Sequence, residues 1–114
     1  MKDPAIAKLE LALSDPTGVY VGAGVDPDAY LAGLAADIRA NICTPFELAA
    51  VVMPPGFADA PVGTQISGQC VAHKAGYWLV YQPEQDRFCC FWGEIRSNLG
   101  AHGVSGQPLY CWSA

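Results

Sequence analysis

Apolar residues recur along this chain at two different periods, and the change between them divides it into halves. In the first half, Ile6, Leu9 and Leu13 fall at three- to four-residue steps, as do Tyr30, Leu31, Leu34, Ala35, Ile38 and Ile42. That spacing lays an apolar stripe along one side of a helix. The same signal introduces both runs, Asp3-Pro4 and Asp26-Pro27-Asp28. Aspartate supplies the N-cap acceptor, and proline suits the first helical position, where an N–H would have no partner. The first helix is predicted over residues 4 to about 14, where Asp15-Pro16 stops it. The second carries the longer stripe. Thr44-Pro45-Phe46-Glu47 reads as a capping box, which predicts a third, shorter helix to about Val52, ended by Met53-Pro54-Pro55-Gly56. Residues 16–25 hold a β-like core, Val19-Tyr20-Val21, that fits a short strand or an ordered loop.

The second half changes period. From Gln65 to Gly93, β-branched and aromatic types dominate: Val71, Trp78, Leu79, Val80, Tyr81, Phe88, Phe91, Trp92. Two breaks interrupt them. His73-Lys74-Ala75-Gly76 ends in a glycine free to take positive φ, and residues 82–87 place Pro83 where a type I turn wants it. Three antiparallel strands follow, and the spacing sets their register. Ala72 is expected opposite Tyr77, Cys70 opposite Leu79 and Gly68 opposite Tyr81. Across the second turn Tyr77 meets Trp92, Leu79 meets Cys90 and Tyr81 meets Phe88. Side chains alternate between faces, so these residues make one wholly apolar core face.

The opposite face reads Val71-Trp78-Phe91, Gln69-Val80-Cys89 and Ser67-Gln82-Arg87, apolar at one end and polar at the other. Either the chain's own C-terminus covers Trp78 and Phe91, or they form an exposed aromatic patch of the kind that marks an interaction site. Residues 94–99 fit a helical turn or a continuing strand, and Leu109-Tyr110-Cys111-Trp112 reads as a fourth strand. The expected fold is α+β: N-terminal helices packed on one face of a C-terminal antiparallel β-meander of about four strands, with residues 1–114 forming one domain.

Composition narrows the functions. A hydrophobic content of 52% excludes a disordered chain, and a charged content of 15% is lean against the usual quarter or so. Lean charge on a small surface points to part of it being covered, most simply by a second copy. The net charge is −5 with six scattered Lys and Arg, whereas nucleic acid and anionic membrane surfaces both demand clustered basic residues. The first fifteen residues carry Asp3, Lys8 and Glu10 and no long apolar core, unlike a signal peptide, and no window is long enough to span a membrane. A cytoplasmic protein with reduced thiols is expected. The five cysteines are an odd number, and the expected register leaves Cys70 and Cys90 about 10 Å apart, beyond disulfide reach.

Candidate chemistry is sparse. Cys70 and His73 have a chelating gap and Cys89-Cys90 lie in the next hairpin, but in regular strands each pair diverges, whereas zinc needs four converging ligands; no metal or cofactor is expected. Cys43, placed ahead of the predicted third helix, has the setting of an activated thiol, and His102 lies in a glycine-rich loop that leaves it free to approach. No signature links the two. Glu94 is the one acid beside the aromatic cluster, and apolar rings raise a carboxyl pKa. Val21-Gly22-Ala23-Gly24 lacks the third glycine of a dinucleotide loop, and Asp26 at the following helix mouth would repel phosphate. The reading that results is a non-enzymatic protein–protein interaction module, adaptor or inhibitor-like, self-associating through Trp78, Phe91, Val71 and Val80 with Gln69 and Gln82 at the polar end. The alternative is a small apolar ligand held in an aromatic-lined pocket; a cysteine- or carboxylate-dependent enzyme ranks behind both.

Overall fold

The computed structural model describes residues 3–113. Helix α1 spans Pro4–Ala12 and helix α2 Pro27–Ala40. Both begin where the Asp-Pro pairs place them. The Asp3 carboxylate accepts from the Ala5 amide, and that of Asp26 accepts from the amides of Asp28 and Ala29, satisfying donors that a helix start otherwise leaves open. Residues 16–25 form a loop.

The predicted third helix is instead strand β1, Ile42–Val52. Its second half alternates strictly: Leu48, Ala50 and Val52 are buried, while Glu47 and Val51 are exposed. That is the strand period. Pro45 does not open a helix; it falls in the irregular stretch between Ile42 and Phe46 where the pairing with the next strand shifts, a place where a missing donor costs little.

Strand β2, Gln65–Lys74, pairs antiparallel with β1 and with β3, Tyr77–Gln82. The β2–β3 turn is tighter than the sequence indicated. Ala75 and Gly76 alone form it, both at positive φ (48° and 82°), as a type I′ hairpin requires. Lys74 therefore faces Tyr77, and a bulge between Cys70 and Ala72 then gives Ala72–Leu79 and Cys70–Val80 pairs. The expected register for β2 is overturned. Strand β4, Arg87–Trp92, follows β3 in the expected register, with Tyr77 opposite Trp92, Leu79 opposite Cys90 and Tyr81 opposite Phe88.

Two short strands complete the sheet: β5, Gly100–Ala101, and β6, Ser105–Gly106. β5 lies antiparallel to the end of β4 and parallel to the end of β1, with Val51 opposite Gly100 and Val52 opposite Ala101. Since β3 also pairs with β4, the circuit β1-β2-β3-β4-β5-β1 closes. A meander of five strands must close on a parallel pair, because its first and last strands run the same way. β6 sits outside the circuit against the start of β4.

The chain ends in helix α3, Pro108–Ser113, not in a fourth strand. Pro108 opens it, and Leu109, Cys111 and Trp112 are all buried. Three buried positions within four residues suit one side of a helix better than alternating strand faces.

Closure gives the protein two cores. Inside the barrel lie Leu48, Ala50, Cys70, Val80, Cys89, Phe91, Leu99 and Ala101. Outside it, Val71, Ala72, Leu79, Tyr81, Phe88 and Cys90 pack under Leu9 and Leu13 of α1, Ile38 of α2 and Leu109 and Cys111 of α3. The α+β class is as expected, helices first and a mostly antiparallel sheet after, with six strands in place of four. Gly68 marks a close approach within the sheet: a Cβ there would lie 2.6 Å from both the Tyr81 carbonyl oxygen and a Val80 methyl, so only glycine fits.

Candidate functional site

The face expected to be an aromatic contact surface is largely the barrel lining. Phe91 and Val80 are fully enclosed in it. Val71, displaced by the β2 bulge, turns to the helices and is equally buried. Trp78 is half-buried at the barrel mouth, where its indole N–H donates to the Gly93 carbonyl oxygen at 2.9 Å and its ring stacks on His73 at 4.7 Å. Gln82, 3% exposed, donates to the Ser67 carbonyl oxygen and accepts from Arg87 Nε at 2.7 Å. Gln69 pairs with Tyr81 and so falls on the helix side of the sheet, not the expected one; like Trp78 it is half-buried. Neither the C-terminal helix nor a partner covers Phe91; the sheet closes over it.

The thiols are equally unlike a reactive site. All five cysteines are free. Cys43 lies in a strand, not at a helix start, and burial pushes its pKa up; its thiol points at the Cys70 carbonyl oxygen, 3.7 Å away. Burial likewise raises Cys89 and Cys90, each to about 12. His102 stands edge-on to Trp92 at 5.4 Å, and Glu94 is exposed in the loop after β4. Among the described residues no three His, Cys, Asp or Glu side chains gather as a metal ion would need, and no helix is long and apolar enough to cross a membrane.

The helices pack on β2, β3, β4 and β6. Ile42 at the start of β1 reaches the helix-side core, but the outward row from Glu47 onward is left uncovered by them. Val51 and Met53 project from it, 45% and 40% exposed, and Ile95, on the loop between β4 and β5, is 62% exposed. Ala49 and Glu47 continue the same row, since outward positions on a strand fall two apart. Between β1 and that loop runs a groove of about 500 Å³, lined by Glu47, Ala49, Gln65, Ile95, Arg96 and Ser97 among others. The Arg96 guanidinium lies 3.8 Å over the Phe46 ring, a cation–π contact that holds it at the groove's edge. A second groove of about 460 Å³ continues past Gln65 along β2, walled by Ser67, Gln69, Glu84 and Gln85. Val51, Met53 and Ile95 supply the exposed apolar part of this surface, and amides and charges line most of its two grooves.

A third cleft, about 410 Å³, opens between the start of α1 and β3 and is walled by Pro4, Ala5, Tyr81 and Pro83. Its polar groups are already engaged: Asp3 caps α1, and Lys8 reaches Asp86 at 3.1 Å. The two internal cores are filled by side chains, and among the described residues no buried polar side-chain atom lacks a partner.

Sequence reasoning missed Val51, Met53 and Ile95. The alternation from Glu47 to Met53 was the available signal, and the capping-box reading of Thr44 to Glu47 concealed it. Fold and surface together define a small closed β-barrel with helices on one side and an uncovered strand flank on the other. No protein-family model, curated protein or solved structure matches this chain, so the functional reading rests on that geometry.

Proposed function

We propose that this protein is a non-enzymatic, cytoplasmic protein-contact module that self-associates through the uncovered flank of β1. One observation carries the reading. Val51 and Met53 on the outward row of β1, and Ile95 on the loop that walls the groove beside it, are exposed on the side of the barrel that the helices leave open, whereas the other exposed large apolar residues, Leu11, Tyr20, Val25 and Val62, lie on α1 or in loops. The free cysteines suit a reducing compartment. The lean charge of the chain, 15%, suits a surface that is partly covered. The aromatic residues that would line a ligand pocket are committed to the cores, which favours a surface contact over an enclosed ligand.

Light scattering over a concentration series tests this. The wild-type chain is expected to approach twice its single-chain mass. Val51→Glu removes a buried interface methyl pair worth about 1.5–3 kcal/mol, which weakens association roughly 10- to 100-fold. Its far-UV circular dichroism should match wild type, because Val51 touches neither core. A wild-type chain that stays at single-chain mass throughout overturns the proposal.

A further inference from the structure

The uncovered flank also carries the parts of a two-fold contact, and this inference rests on the self-association just proposed. In an isologous dimer the same patch serves both subunits, so it must contain both halves of every contact it makes. The groove between β1 and the loop at Ile95 meets that condition twice. It has a projecting apolar side chain, Ile95, beside a small one, Ala49, and it has a cation, Arg96, beside an anion, Glu47. Glu47 and Arg96 line the same groove, yet among the described residues neither takes part in an ion pair; Arg96 lies over the Phe46 ring.

We propose that two copies of this chain pair about a two-fold axis through this groove. Ile95 of each sits against Ala49 of the other, and Arg96 of each faces the partner subunit's Glu47. Rotation about the axis brings each knob to a hollow and each charge to its opposite. The net charge of −5 makes two copies repel on average, and crossing Arg96 to Glu47 twice places attraction where the copies touch. Charge complementarity of this kind sets register and excludes wrong orientations more than it adds affinity. The grooves at Gln65 and Ser67 then fall at the rim, where amides can bind water or the partner's backbone.

A charge-reversal cycle read by sedimentation velocity tests the arrangement. Glu47→Arg and Arg96→Glu each put like charges face to face and should weaken self-association about tenfold, a loss of about 1.4 kcal/mol. The double variant E47R/R96E recreates both pairs with their ends exchanged and should return to within about threefold of wild type. Arg96→Lys keeps the charge and should stay near wild type. All four side-chain changes lie on exposed positions, and far-UV circular dichroism confirms the fold in each. If wild type associates, Val51→Glu disrupts it and the reversals change nothing, this two-fold arrangement is wrong although the flank is the interface. A monomeric wild type overturns both readings together.

Discussion

Replacing Phe91 by alanine tests whether the barrel is closed. Phe91 follows Cys90 on β4; Cys90 faces the helices and Phe91 faces the barrel interior, and both are 0% exposed. If the sheet were open, the Phe91 face would be wet, and its truncation would resemble a surface change worth no more than about 0.5 kcal/mol either way. If the sheet closes as described, the loss is that of a fully buried ring, about 3–5 kcal/mol including the cavity left behind. Domains of this size have about 5–15 kcal/mol of stability in total, so the variant forfeits a large share. At roughly 3–5 °C per kcal/mol for a chain of this length, the melting midpoint should fall by about 10–20 °C. Phe91→Leu, which keeps most of the apolar volume, should lose about 1–2 kcal/mol. Both are measured by thermal and urea unfolding followed by circular dichroism, beside Leu11→Ala on α1, 79% exposed, as the surface control. A Phe91→Ala midpoint within a few degrees of the Leu11→Ala control would refute closure.

Native-state thiol labelling should find one fast cysteine, Cys43, the only half-buried one, with the other four reacting on unfolding. Because burial holds its pKa above the ordinary 9.0, the labelling rate should keep rising as pH passes 9, where an ordinary thiol levels off; two fast thiols at neutral pH would contradict the packing. Asp37 accepts from the Trp112 indole at 2.8 Å and from Lys74 at 3.0 Å, and these contacts, the indole first, hold its carboxyl below the ordinary 3.8. A depressed folded-state pKa contributes stability that is present above 3.8 and lost as pH falls below it. Asp37→Asn should therefore lower the melting midpoint at pH 7 and lose most of that effect at pH 2, whereas an equal effect at both pH values would rule out the charge as the cause.

What was legible in the sequence was local. Asp3-Pro4 and Asp26-Pro27 each act within four residues, so the starts of α1 and α2 could be read directly. The β3–β4 pairing was legible because residues 83–86 close a short turn, with the Asp86 amide on the Pro83 carbonyl oxygen, and nothing between Tyr77 and Trp92 disturbs the ladder. The β2 register failed through two features: the turn used Ala75 and Gly76 alone, two residues fewer than expected, and a one-residue bulge at Val71 then moved Cys70 from the helix side to the barrel side. β1 failed because Thr44 to Glu47 satisfies a helix-start pattern while the residues after it alternate. Of the candidate site, Trp78, Phe91, Val80 and Gln82 were placed on the correct side relative to Leu79; Val71 and Gln69 were not, since the bulge pairs Gln69 with Tyr81 on the helix side, and what lay against the other side was decided elsewhere. Gly100 and Ala101, two small residues in a glycine-rich stretch, carry almost no strand signal, and they are the pair that closes the sheet.

That closure explains why the aromatic side chains of the sheet are not the exposed ones. A strand such as β4, apolar on both faces, needs cover on both. The three helices cover one face, and they are too few to cover a second, so the sheet curls until its other face meets itself. Closure pairs β2 along both edges, but β1 meets β5 only at Val51 and Val52, so the edge of β1 before Val51 runs open along the groove at Ile95. Two modes of contact are therefore available there: strand addition to the β1 backbone, and face-on contact through the outward side chains, of which Val51 is exposed. Experiment can read the difference. Proline at Ala49, whose amide faces the open edge as that of Val51 does, removes a backbone donor and opposes strand addition, whereas Val51→Glu removes the side-chain contact and leaves every backbone group in place. A contact made face-on follows the second change far more than the first.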